Sequence, residues 1–184
     1  MSLGSDLESL LAEAALLDVD VDAAVADEHV RMAAYHCVIA VLVASTSRDR
    51  DRAVVATLLR DPREALAKTA VVALVDGVAA KGDGLTEFRE WAGQLQPEIE
   101  GFRAEGHRTF IRRRIGDWDF LLSVEGGHAP TPAELAEVSD WMQRLLARDS
   151  TSPPVLALLA ASARTRKVRN VARDRAGSRR LRAE

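Results

Sequence analysis

The stretch "RAVVATLLRDPREALAKTAVVALVDGVAAKG", residues 52–82, decides the fold. Its first part ends in Leu58-Leu59 and is stopped by Pro62, which predicts a helix over 49–60. Proline fixes φ and lacks an N–H, so it suits only the first position of a helix. Pro62 therefore opens a second predicted helix, over 62–80, with glycines after its end. The stretch is two helices and a tight turn, built mainly from Ala, Val and Leu.

The same pattern extends in both directions. In the 184 residues, 47% are hydrophobic but only 4% aromatic, and alanine and leucine are strong helix formers. Upstream, "SDLESLLAEAALL" carries a capping box, Ser5 with Glu8, and a stripe of Leu7, Leu10, Leu11, Ala14 and Leu17. That predicts a first helix over 6–17. A long helix over 22–44 follows. Its second half is apolar on every side, which predicts a central position contacted all round, with Cys37 buried and unreactive and His36 in the core or at an interface.

Downstream, Thr86 is the expected N-cap of a fifth helix, and Pro97 either kinks it or begins a sixth. In that sixth helix Ile99, Phe102 and Phe110 share a face. Residues 117–125 fit two readings. Trp118, Phe120, Leu122 and Val124 alternate as a strand would, whereas Trp118, Leu121 and Leu122 fit a helical turn between Asp117 and Gly126. The short helix is the reading adopted. Thr131, Pro132 and Glu134 signpost another helix, over 131–148, and a last one runs from Pro153 through Arg175. About eight helices and short connections predict an all-α fold, a bundle or a short stack of antiparallel helical hairpins.

Charge divides the chain. Residues 164–184 hold nine Lys+Arg against two Asp+Glu, a local +7 in a protein of net charge −3. The expected organisation is an acidic all-helical domain, 1–163, and a basic C-terminal extension, 164–184, partly disordered where Gly177 and Ser178 break the helix. On one continuous final helix, Val155, Leu158, Leu159 and Ser162 form a stripe that continues as Arg166, Arg169 and Arg173. Guanidinium groups are costly to bury without partners. The segment is therefore expected to project as a contact arm, to fray or to rest on acids. A second basic cluster, Arg112, Arg113 and Arg114, lies beside Phe110, Trp118 and Phe120, a mixture that can grip phosphates and stack bases.

Residues 52–82, with the "DP" turn at Asp61-Pro62, resemble one unit of the HEAT-repeat family. "DWMQRLLARDSTSPPVLALLAASARTRKVRNVA", residues 140–172, repeats the order loosely: Leu145-Leu146, Asp149, Pro153, then an Ala/Leu helix. The resemblance implies a binding scaffold rather than an enzyme.

Motifs of catalysis are missing from the sequence. There is no Gly-x-Ser-x-Gly, no His-Glu-x-x-His and no Walker loop, and Gly82 and Gly84 lack the third glycine of a dinucleotide fingerprint. Asp18, Asp20 and Asp22 occupy positions 1, 3 and 5 of a calcium loop, but Ala23 stands where the turn needs glycine and His29 where a bidentate Glu is needed. They read better as helix-capping acids. His29 and His36 share a helix face without further ligands. A helix-turn-helix around residues 132–172 is disfavoured, because "DSTSPP" is long for its turn and the basic residues fall at the wrong end of the second helix.

No cofactor and no membrane contact are expected. The apolar run at 32–44 is far shorter than the ~20 residues of a membrane span, and acids stand where a signal peptide would carry bases. A cytoplasmic location follows as the expectation. The expected role is a non-catalytic helical module for a protein partner or self-association, through Arg166, Arg169 and Arg173 with Arg112, Arg113 and Arg114. The alternatives are nucleic-acid association through the basic segment and a metal-dependent helical enzyme.

Overall fold

A computed structural model describes residues 2–81 and 84–180. The described residues form eleven helices and no strand. The chain divides into two compact units, 1–115 and 116–184.

In the first unit, α1 (Leu3–Glu13) starts one turn earlier than the capping box suggests, because Ser2 Oγ accepts from Ser5 N. It ends before Leu17, and Ala15 takes a φ of 55°. Leu7, Leu10 and Leu11 are buried as their spacing dictates, but Leu17 is left 85% exposed. The long helix expected over 22–44 is two. α2 (Val21–Ala26) stops at Asp27, whose carboxylate accepts from His29 N and Val30 N and so starts α3 (Glu28–Ala44). Arg31 then donates to Ala24 O and Val25 O, answering the open carbonyls of α2.

α3 is not surrounded. It buries Ala34, Tyr35, Val38, Ile39 and Leu42, while His36, Cys37 and Ala40 are exposed. Alanine and cysteine expose so little apolar area that a helix with a small-residue face can leave it in water. α4 (Asp51–Leu58) and α5 (Glu64–Lys81) realise the hairpin of residues 52–82, except that α5 begins two residues after Pro62. α3 and α5 approach closely: a Cβ on Gly77 would lie 2.4 Å from Val43 Cγ2.

α6 (Leu85–Glu100) continues through Pro97, and its cap is Gly84 rather than Thr86. α7 (Glu105–Glu125) absorbs the segment 117–125, so the helical reading of that segment holds and the strand does not form. Ile99, Phe102 and Ile111 are buried, whereas Phe110 is 45% exposed.

α7 contributes residues to both units. In the second, Thr131 and Glu134 form the expected capping box of α8 (Pro132–Glu137), with Pro132 in its first turn. The helix expected to continue to residue 148 ends there. Ser139 caps α9 (Asp140–Asp149), and Asp117 accepts from Ser139 N at 2.8 Å and from its hydroxyl. The last predicted helix is likewise two, α10 (Pro153–Ser162) and α11 (Arg166–Arg180). α11 includes Gly177 and Ser178, so they do not break it; residues 181–184 lie outside the described residues. Among the described residues, no helix is long and apolar enough to cross a membrane.

Candidate functional site: the basic face of the last helix

The break between α10 and α11 changes where the arginines go. On one continuous helix, Arg166, Arg169 and Arg173 would inherit the inward stripe. The turn at residues 163–165 resets the register, and Val168 (2% exposed) and Ala172 (0%) become the inward positions, four residues apart on one face. α11 is packed on α9 and α10 through them. The expectation of a projecting arm is therefore corrected: a new helix starts where the old apolar stripe ran out.

A buried glutamine holds the turn. Gln143, 1% exposed on α9, donates to Leu135 O at 2.9 Å and Val138 O at 3.2 Å, and its Oε1 accepts from Arg164 N at 2.9 Å. One side chain thus satisfies the end of α8 and the entry to α11. The Arg164 guanidinium pairs with Asp140 at 2.8 Å and donates to Ala136 O at 2.7 Å. Thr165 Oγ1 accepts from Val168 N. Sequence reading passed over Gln143, yet a signal was present: it sits on the same helical stripe as Met142, Leu146 and Ala147, where a polar residue must find partners.

Two of the α11 arginines serve this anchoring. Arg169 Nη1 donates to Ala163 O at 2.6 Å, at the end of α10, and Arg175 Nη1 donates to Ala147 O at 3.0 Å, in the last turn of α9. Both place a cation at the negative end of a helix. Arg166 and Arg173 face water. Arg166, Asn170 and Arg173 form one exposed line at i, i+4 and i+7, with Lys167, Val171 and Asp174 beside it. Arg173 donates to Asn170 Oδ1 at 3.0 Å. Among the described residues, Arg166, Lys167 and Arg173 make no ion pair.

The second predicted cluster fares differently. Arg112 pairs with Glu100 and lies 3.9 Å from Glu105, and its hydrogen bond to Glu100 raises its own pKa and lowers that of Glu100. Arg114 sits 3.6 Å from Asp76 and 5.8 Å from the centre of the Phe110 ring, and Lys68 lies 4.5 Å over the same ring. Only Arg113 of the three is exposed without an ion pair among the described residues.

Asp20 caps α2 by accepting from Ala23 N at 3.0 Å, while Asp18 and Asp22 are exposed. Among the described residues, no three or more His, Cys, Asp or Glu are grouped to hold a metal ion.

No protein family, curated protein or solved structure matches this chain.

Proposed function

We propose that the protein is a non-catalytic helical interaction module that presents α11 to an acidic protein surface. The supporting observation is the contrast within α11 itself. Arg169 and Arg175 are spent on helix ends, whereas Arg166, Lys167 and Arg173 stand in water without an ion pair among the described residues, on a helix fixed by Val168 and Ala172. A pre-ordered cationic face loses little entropy when it binds. The resemblance of residues 52–82 to a HEAT unit fits the same reading.

A protein partner suits this face better than a phosphate backbone does. Exposed Val171 lies among the cations, with neutral Asn170 and acidic Asp174 beside it. Protein interfaces combine an apolar centre with a polar rim and are enriched in arginine. A polyanion rewards an unbroken run of cations.

The test is a photo-cross-linking amino acid at position 171 of the full chain, activated in the native cell. The expected product is an adduct with one protein, resistant to nuclease and lost when Arg166, Lys167 and Arg173 are all changed to Glu. An adduct carrying nucleic acid, or one that survives the charge reversal, overturns the reading.

A further inference from the structure

The second unit contains a groove lined by residues of α7, of α9 and of the loop before α10. Its volume is about 280 Å³, and Leu121, Val124, Leu145 and Leu146 give it an apolar floor. A dry cavity of about 150 Å³ accommodates benzene, so this space admits a flat body of roughly two fused rings.

The charge at the rim has an unusual arrangement. Two helices end there, and the last residue of each, Glu125 of α7 and Asp149 of α9, lines the groove. A carboxylate at a helix C-terminus is in the wrong place, because the open carbonyls already make that end negative. Asp149 is relieved by Arg148, which holds it through two bonds of 2.8 Å and keeps its carboxyl below the ordinary range. Glu125 is exposed and has no such relief: among the described residues its side chain makes no ion pair or hydrogen bond. At the end of α9, Arg148 holds Asp149 and Arg175 answers Ala147 O, so the apolar floor faces one uncompensated carboxylate, Glu125.

The third element at the rim excludes the opposite charge. α10 starts beside the groove, and a helix N-terminus would ordinarily offer N–H groups to an anion. Pro153 and Pro154 remove two of those donors. Ser152 makes no side-chain cap bond, which leaves its hydroxyl oxygen as an acceptor at the rim.

We infer that this groove is a binding site for a small organic cation with a flat apolar body, of the arylalkylammonium class. The rings lie on Leu121, Val124, Leu145 and Leu146, and the ammonium group meets Glu125.

The experiment is calorimetric titration of the full chain with three probes of one shape: 2-(2-naphthyl)ethylammonium, 2-(2-naphthyl)ethanol and 2-naphthylacetate. The expected result is one saturable site for the ammonium, about tenfold weaker binding of the alcohol, and none of the carboxylate. Glu125→Gln lies in water, leaves the fold intact and weakens the ammonium about tenfold, to the level of the alcohol. Leu145→Trp fills the groove from a half-buried position and abolishes binding, with Leu121→Trp as the second filling variant if circular dichroism shows the first to be misfolded. Equal or tighter binding of the carboxylate, ammonium binding indifferent to Glu125→Gln and to a folded filling variant, or no saturable binding up to about 10 mM overturns the inference.

Discussion

Arg112–Arg114 on α7 and Arg166–Arg175 on α11 are similar in sequence and different in circumstance. On α7, Arg112 meets Glu100 and Glu105, and Arg114 meets Asp76, all within the acidic first unit. On α11, Arg169 and Arg175 donate to the carbonyls of Ala163 and Ala147, and Arg166, Lys167 and Arg173 make no ion pair among the described residues. The difference teaches that a run of arginine carries no functional meaning until its neighbours are known. An acidic body consumes its own cations first, and what remains unpaired on an ordered element is available for a partner.

The most severe way to break this contrast lies in the first unit. Arg31 is buried with Asp61, at 2.9 Å, and Tyr35 donates to the same carboxylate at 2.7 Å. Asp61→Ala leaves a buried guanidinium without its partner and is expected to cost about 3–5 kcal/mol in urea unfolding. A loss below about 1 kcal/mol contradicts the view that cations of the first unit are structural.

The next variant attacks the anchoring of α11. Ala172→Asp puts a carboxylate on a fully buried position and is expected to destabilise by roughly 3 kcal/mol. Hydrogen exchange should then show α11 losing protection first. Unchanged protection of α11 would mean that Ala172 does not fix it.

A milder effect distinguishes helix capping from mere pairing. Glu64, in the first turn of α5, accepts from Arg103 N at 2.5 Å and Ala104 N at 3.1 Å, just before α7, and lies 3.0 Å from His107 Nδ1. Burial pushes its carboxyl up, but the two N–H groups and His107 outweigh this and hold it below the ordinary range. A lowered folded-state pKa means stability that is present above the unfolded value of about 4.3 and lost as pH falls through the folded one. Glu64→Gln should therefore be less stable than the wild type near neutral pH, by about 1 kcal/mol. The gap should close as both are acidified below pH 4. A gap that widens on acidification contradicts the assignment.

Much of the fold is legible in the sequence, because helix periodicity and proline placement survive in every long segment. What periodicity concealed were three interior boundaries, at Asp27, Ser139 and Thr165. Each is an ordinary N-cap residue inside a continuous apolar pattern, and each chain reversal is secured by a distant group: Arg31 on the end of α2, Asp117 on Ser139, Gln143 on Arg164. A cap can be read from its residue type, but the decision to use it belongs to the tertiary partner. The exposure of Cys37 has a similar origin, since alanine-rich faces look central in composition and remain tolerable in water. The candidate site was half legible. Arg166 and Arg173 face water, whereas Arg169 is spent on Ala163 O because the turn before it shifts the register.

The smallest expected effects are on α11 itself. Arg166→Ala and Lys167→Ala are expected to change unfolding free energy by less than about 0.5 kcal/mol, since neither side chain has an ion pair to lose.

The most direct test sets two sets of charge reversals side by side in urea unfolding: Arg166→Glu with Lys167→Glu and Arg173→Glu on α11, and Arg112→Glu with Arg114→Glu on α7. The account predicts an unchanged midpoint for the first, since Arg166 and Lys167 stand in the first turn, where acids are tolerated, and Arg173 is exposed without an ion pair among the described residues, and a clearly lowered midpoint for the second. Equal losses in the two would show that the α11 cations are structural after all.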